Sequence, residues 1–168
     1  MNFRDIHHYI KNRWFQKTHQ LTSKLKKGEW HDLDERILHC LYDSLVEFVE
    51  QEVGMESLER QSKFTGKDWG FEETNPEYNE PVPQALYAQE TINLYKWWIE
   101  DRPQRPDPYE VSGWNNYCDT NSIEQLLSTT TEEGFKLIEK SRYIEQLYDN
   151  EDTEMLIRLI KIRHYLWT

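Results

Sequence analysis

The chain has 168 residues, the usual length of one domain. Aromatic residues make up 14% of it, which excludes the composition of a disordered chain despite a mean hydropathy of −0.94. A formal charge of −11 disfavours direct binding to nucleic-acid phosphates. No apolar run is long enough to span a bilayer, and the N-terminus is charged where a signal peptide would be apolar. We therefore expect a cytoplasmic protein without a membrane partner.

The charge is unevenly distributed along the chain. Residues 1–28 carry a net charge of +6, residues 29–110 carry −13, and residues 111–168 carry −4. The two cysteines, Cys40 and Cys118, form no C-x-x-C pair, which indicates reduced thiols and no cysteine zinc site. The net charge of residues 1–28 is thus positive, whereas that of the rest of the chain is negative.

The first predicted element is a basic amphipathic helix over residues 3–16. Its apolar side chains recur every three or four residues, as on one face of a helix: Phe3, Ile6, Ile10 and Trp14. Its cations resemble the surface of a protein that binds nucleic acid or an acidic partner, and we name them as candidate partner-binding residues: Arg4, Lys11, Arg13 and Lys17. Together with the following linker, this helix forms a basic N-terminal segment over residues 1–28.

The next elements are a short segment and a long helix. Residues 21–27 alternate in polarity, which favours a short β segment or an extended linker. Asp32 followed by Glu35 has the spacing of a capping box and predicts a helix over residues 32–53, ended by Gly54.

The remaining chain is predicted to alternate between loops and helices. Residues 54–83 collect proline, glycine and rings, which predicts a long loop, and a helix follows over residues 84–101. Three prolines in six positions predict an extended stretch from residue 102 to 114. Helices over 121–148 and 151–167, the first with a break near Thr129–Thr131, complete a mainly α fold. We predict a single-domain bundle of five or six helices over residues 1–168.

The most distinctive stretch combines rings with two arginines. Rings and guanidinium groups can hold a flat base and a phosphate, so the stretch is a candidate ligand site. Its candidate ligand-binding residues are Trp97, Arg102, Arg105, Tyr109 and Trp114. The favoured alternative is structural: aromatic residues at helix spacing are usually core, and the arginines then pair with Glu100, Asp101 or Asp107.

A second cluster could hold a metal ion. On a helix, Glu35, His39 and Asp43 fall at i, i+4 and i+8 along one face, and divalent metals favour such ligands. The pattern is not H-E-x-x-H, and acidic residues near a helix N-terminus already interact with its dipole. We therefore predict no cofactor and no metal, with this triad as the alternative. No nucleophile motif or phosphate-binding glycine pattern occurs in the sequence.

Three stretches of the chain resemble a group of small proteins of tailed bacteriophages. They are WHDLDERILHCLYDSLVEFVEQE, LYKWWIEDRPQRPDP and EDTEMLIRLIKIRHYLWT, and the resemblance spans most of the chain. It implies an infected bacterial cytoplasm as the setting and assigns no activity to any residue. By analogy with small phage proteins in general, it implies interference with a host enzyme or immune system.

These observations lead to three ranked hypotheses. The first is a non-catalytic protein that binds and inhibits a host or defence protein through acidic and aromatic surfaces. The second is a sponge that sequesters a nucleotide or cyclic nucleotide signal, with a homo-oligomer building the pocket from two chains. The third is a metal-dependent hydrolase that uses Glu35, His39 and Asp43.

Overall fold

The structure is a computed structural model that describes residues 3–15, 21, 23–26, 28–121 and 132–166. The chain is mainly α, as predicted, and the described residues contain no strand beyond one isolated bridge between Thr65 and Pro81. The β segment suggested for residues 21–27 is absent at the described positions of that stretch. None of the described helices is both long enough and apolar enough to cross a membrane.

Seven α-helices are present in the described part of the chain. They are α1 (Phe3–Ile10), α2 (Leu33–Glu47), α3 (Met55–Gln61), α4 (Pro83–Lys96), α5 (Pro108–Ser112), α6 (Trp114–Thr120) and α7 (Glu132–Ile162). Wider π-helical turns continue three of them: Lys11–Phe15 after α1, Phe48–Val53 after α2 and Trp97–Asp101 after α4. Short 3-10 turns lie at Arg102–Gln104 and Arg163–Tyr165.

Several predicted boundaries are confirmed. With their π-helical turns, α1, α2 and α4 reproduce the helices predicted over residues 3–16, 32–53 and 84–101. Gly54 ends the second with a φ of 83°, a conformation that favours glycine. Asp32 is the N-cap residue of α2, as the capping box requires, but the prediction of a capping box is wrong because the Asp32 side chain makes no capping hydrogen bond. The Asp32 side chain accepts a hydrogen bond from the Trp30 indole instead, and Glu35 contacts His31.

The prediction of two C-terminal helices is wrong. A single helix, α7, runs from Glu132 to Ile162 without a break at residues 149–150. Residues 143–162 contain neither glycine nor proline, and Asp149, Glu151 and Asp152 do not end a helix when they face solvent or a basic partner. The predicted break near Thr129–Thr131 lies outside the described residues.

The stretch from residue 102 to 114 also differs from its prediction. It is not extended throughout, since it contains the 3-10 turn and α5. Pro108 occupies the first turn of α5, where a missing N–H costs nothing, and the Asp107 side chain accepts a hydrogen bond from the Tyr109 N–H. Gly113 then turns the chain with a φ of 89°, a conformation that favours glycine.

The contacts divide the chain into two compact units. The first contains residues 1–95 and 165–168, and the second contains residues 96–164. That the two units form a single domain stays a prediction. The buried side chains of the first unit come mainly from α2 and α4, and its apolar core members are Leu38, Tyr42, Leu45, Val46, Val49, Leu58, Val82, Ala85, Ala88, Ile92 and Leu94.

In the second unit, α5 and α6 pack on α7. The Lys140 ammonium donates a hydrogen bond to the Val111 carbonyl, 3.0 Å away. Gly134 allows close approach, because a Cβ atom there would lie 3.0 Å from the Tyr117 ring. These contacts hold the two short helices along the first turns of α7.

The long loop predicted over residues 54–83 begins with α3 and is then held by its own backbone. Two backbone hydrogen bonds join the start of the loop to its end. The Gly66 N–H donates to the Glu80 carbonyl, and the Val82 N–H donates to the Phe64 carbonyl. Asp68 accepts hydrogen bonds from the backbone N–H and the hydroxyl of Thr65, which lower the pKa of its carboxyl group. The loop is therefore a closed, hydrogen-bonded structure.

Replacing Gly66 with alanine tests this closure. A Cβ atom at Gly66 would collide with the Glu77 carbonyl oxygen and lie 2.6 Å from the Phe71 ring. We expect Gly66→Ala to lower the free energy of unfolding by about 1–3 kcal/mol, because overpacking forces the backbone to shift. Urea unfolding followed by circular dichroism measures the change. Lys67→Ala, at an exposed neighbour, is the control, and equal stability of the two variants would contradict the closed loop.

Candidate functional site

The two arginines of the candidate ligand site are already bound to acidic residues of α7. Arg102 binds Asp152 through two nitrogen atoms, Nε to Oδ1 at 3.2 Å and Nη2 to Oδ2 at 3.0 Å. The Nη2 atom of Arg105 lies 2.9 Å from Glu151 Oε2 and 2.7 Å from Asp152 Oδ1. Asp152 thus joins both guanidinium groups. The arginines do pair with carboxylates, as in the structural alternative, but with Glu151 and Asp152 rather than the predicted acids.

Aromatic rings close the same cluster. The Arg102 guanidinium lies 4.9 Å from the Trp98 ring centroid, and the Arg105 guanidinium lies 5.6 Å from Trp97 and 4.9 Å from Tyr148. The Trp97 indole donates a hydrogen bond to Glu151 at 2.8 Å. Cation–π contact and charge-assisted hydrogen bonds therefore act on the same groups. We call these residues the arginine cluster: Trp97, Trp98, Arg102, Arg105, Tyr148, Glu151 and Asp152.

Burial shows what this cluster does. Trp97 is 4% exposed and Trp98 is buried too, as the structural alternative expects of aromatic residues at helix spacing. The Arg105 side chain is 15% exposed. The flat faces and charges that would recognise a nucleotide are thus directed at neighbouring side chains of the protein. The cluster fixes the segment after α4 against the middle of α7.

The other two candidate ligand residues make different contacts. Trp114 stacks on Tyr117, with ring centroids 5.5 Å apart. Tyr109 lies in the first turn of α5, 41% exposed, with its backbone N–H bound to Asp107. The contacts of the described residues therefore bring three of the five predicted residues together, namely Trp97, Arg102 and Arg105, and they do so in a structural role.

The proposed metal ligands are not brought together. Glu35 pairs with His31, whose Nδ1 atom is 3.0 Å from Glu35 Oε2, and His39 pairs with Asp43, at 3.3 Å. Within the described ranges no three His, Cys, Asp or Glu side chains lie close enough to hold a metal ion. Helix spacing places the three residues along one face of α2, but the ion pairs form between His31 and Glu35 and between His39 and Asp43.

Asp43 has a structural role that the sequence did not indicate. It is 2% exposed, and its Oδ2 atom accepts a hydrogen bond of 2.6 Å from the Lys24 backbone N–H. The basic segment is thereby attached to the middle of α2. Burial of a carboxylate is compensated by such hydrogen bonds. Asp43 is thus an anchor for the linker.

The exposed apolar residues form the more informative surface. Trp30 is 89% exposed and Leu33 is 65% exposed, and Ile37 is exposed one turn further along α2. The exposed carboxylates of Asp32 and Asp34 lie in the same stretch. We call this set, within residues 30–37, the α2 surface. Exposed apolar side chains with a polar rim are typical of protein-binding sites.

A second exposed apolar face lies on the first helix and its continuation. Ile6, Ile10 and Trp14 follow one face of a helix, and Trp14 is 71% exposed. The predicted partner-binding residues Lys11 and Arg13 are exposed beside them. Lys17 and the side chain of Arg4 lie outside what the structure describes. The partner-binding role of these cations stays a prediction.

Comparison with known proteins adds no relative. No protein-family model, no curated protein and no solved structure matches the chain. The function of the chain is therefore inferred from the surfaces and contacts of its described residues.

Replacing Arg102 tests the structural role of the arginine cluster. We expect Arg102→Ala to lower the free energy of unfolding by about 1–3 kcal/mol, because it leaves Asp152 with one cation fewer and uncovers Trp98. Arg142→Ala, at an exposed arginine of α7, is the matched control and should change stability by less than about 0.5 kcal/mol. Equal stabilities, together with calorimetric heat from ATP or a cyclic nucleotide that Arg102→Ala abolishes, would instead establish a ligand site.

Proposed function

We propose that this chain is a non-catalytic binding protein that engages another protein through the α2 surface. The observation that supports it is the exposure of Trp30, with Leu33 and Ile37 beside it in an acidic stretch. A large exposed ring such as that of Trp30 is an effective binding residue, since it buries a large area for the loss of few rotamers when it is covered. The surface needs no reacting group to act.

The resemblance to tailed-bacteriophage proteins supplies the proposed setting. In that setting the partner is a host or defence protein that is inhibited by being bound. The surface that this partner presents would be apolar at its centre and basic around it, because the α2 surface carries carboxylates around its apolar side chains.

The nucleotide sponge and the metal-dependent hydrolase receive less support. A sponge at the arginine cluster would have to displace Glu151 and Asp152 from Arg102 and Arg105. A hydrolase would have to bring Glu35 away from His31 to join His39 and Asp43. Each requires the separation of paired charged side chains, whereas the apolar side chains of the α2 surface are already exposed.

A comparison of two exposed tryptophans tests the proposal. The tagged chain is used to capture proteins from lysates of phage-infected and uninfected bacteria, and the captured protein is then purified and titrated. We expect Trp30→Ala to weaken its binding at least tenfold, because truncation of a central ring costs about 2 kcal/mol or more. Trp69→Ala, at a tryptophan that is 51% exposed in the 62–82 loop, is the matched control.

The outcome that contradicts the proposal is equally specific. Capture that is unchanged by Trp30→Ala and by Leu33→Glu, or no specific partner at any salt concentration, would remove the α2 surface as the binding site. Circular dichroism of each variant confirms that its helix content is retained.

A further inference from the structure

The α2 surface and the first helix are complementary in charge. Residues 1–28 have a net charge of +6, whereas residues 29–53 contain eight acidic residues and one arginine. Lys11 and Arg13 are exposed beside the apolar face of the first helix, and Asp32 and Asp34 are exposed within the α2 surface. Opposite charges that flank two apolar faces favour their association and fix its orientation.

The apolar side chains of the first helix and of the α2 surface are both exposed to solvent. Ile6, Ile10 and Trp14 on the first helix, and Trp30 and Leu33 on the α2 surface, all remain exposed within the one chain that the structure describes. An amphipathic helix with an uncovered apolar face gains stability only when that face is buried. A single copy thus presents both halves of an apolar contact without forming it.

We propose that the first helix of one copy binds the α2 surface of a second copy, and that the exchange is reciprocal. Helix binding in an apolar groove through residues at i, i+4 and i+8 is a recurring mode of recognition, and Ile6, Ile10 and Trp14 have that spacing. A two-fold arrangement buries both faces of both chains and leaves neither unpaired. In each copy, the hydrogen bond from the Lys24 N–H to Asp43 attaches the linker that follows the first helix to α2 of the same chain.

This inference rests on the proposed function, because it takes the α2 surface as a protein-binding surface and names one of its occupants. A target protein and the second copy would then compete for the same residues. The exchange makes the dimer a form in which the binding surface is covered until a target displaces the partner copy.

Native mass measurement over a range of protein concentrations tests the exchange. We expect the full chain to reach twice its 20.5 kDa at micromolar concentration and to dissociate at least tenfold more readily at high salt, because screening weakens exposed charges. Ile10→Glu and Leu33→Glu should each yield monomers. Leu86→Glu, at a leucine of α4 that is 57% exposed, is the control and should remain dimeric.

Mixing the two monomeric variants separates exchange between copies from folding back within one copy. The Ile10→Glu chain keeps an intact α2 surface and the Leu33→Glu chain keeps an intact first helix, so one of the two contacts can form between them. With one variant labelled with nitrogen-15, a mixed dimer should be detected. Mixtures that stay monomeric would overturn the reciprocal exchange, as would a wild-type chain of 20.5 kDa at every concentration.

The experiments distinguish failure of the proposed dimer from failure of the proposed function. A monomeric chain whose target binding still depends on Trp30 would exclude the exchange and keep the proposed function. A dimer that is broken by Leu33→Glu, with no target recovered, would keep the exchange and exclude the proposed function. Binding of the monomeric wild-type chain, but not Ile10→Glu, to phosphatidylglycerol vesicles would assign the first helix to lipid and overturn the exchange.

Discussion

The ion pairs of Asp152 with Arg102 and Arg105 are the interaction on which the second unit depends. They attach the segment after α4 to the middle of α7 and cover the faces of Trp97 and Trp98. Removing one partner of such a half-buried set leaves charges that have lost water without gaining a counterion. The same contacts decide the function of the segment, because arginines held by carboxylates and rings held by arginines are not presented to a ligand.

Because the side chains of the arginine cluster contact one another, the proposed function rests on the exposed apolar side chains instead. The most exposed large apolar residue of those described in the chain is Trp30, outside the core and beside carboxylates. The basic first helix exposes a second apolar face. A protein of this composition could have buried more of its rings, yet Trp14, Trp30 and Trp69 are all more than half exposed. The proposed binding function rests on these exposed side chains.

Sequence periodicity predicted α1, α2 and α4 because their apolar residues recur every three or four positions over more than ten residues. It did not predict that α7 is continuous, since the apolar residues of its two predicted parts leave a gap between Leu147 and Met155. Spacing likewise aligned Glu35, His39 and Asp43, but only the structure shows which neighbour each side chain contacts. Long-range pairs such as Arg105 with Asp152, or Lys24 with Asp43, have no local signature. The expectation that the rings are interior holds for Trp97 and Trp98 and fails for Trp30, because burial depends on neighbours that the local pattern does not specify.

A double-mutant cycle between Arg105 and Asp152 tests the central claim most directly. Urea unfolding of the wild-type chain, Arg105→Gln, Asp152→Asn and the double variant gives the coupling free energy of the pair. The account predicts a coupling of about 1–2 kcal/mol in favour of the native pair, as expected for a charge-assisted contact of limited exposure. Additive effects, with a coupling below about 0.3 kcal/mol, would mean that the arginine cluster does not hold the fold. Arg102 and Arg105 would then return as candidates for ligand binding.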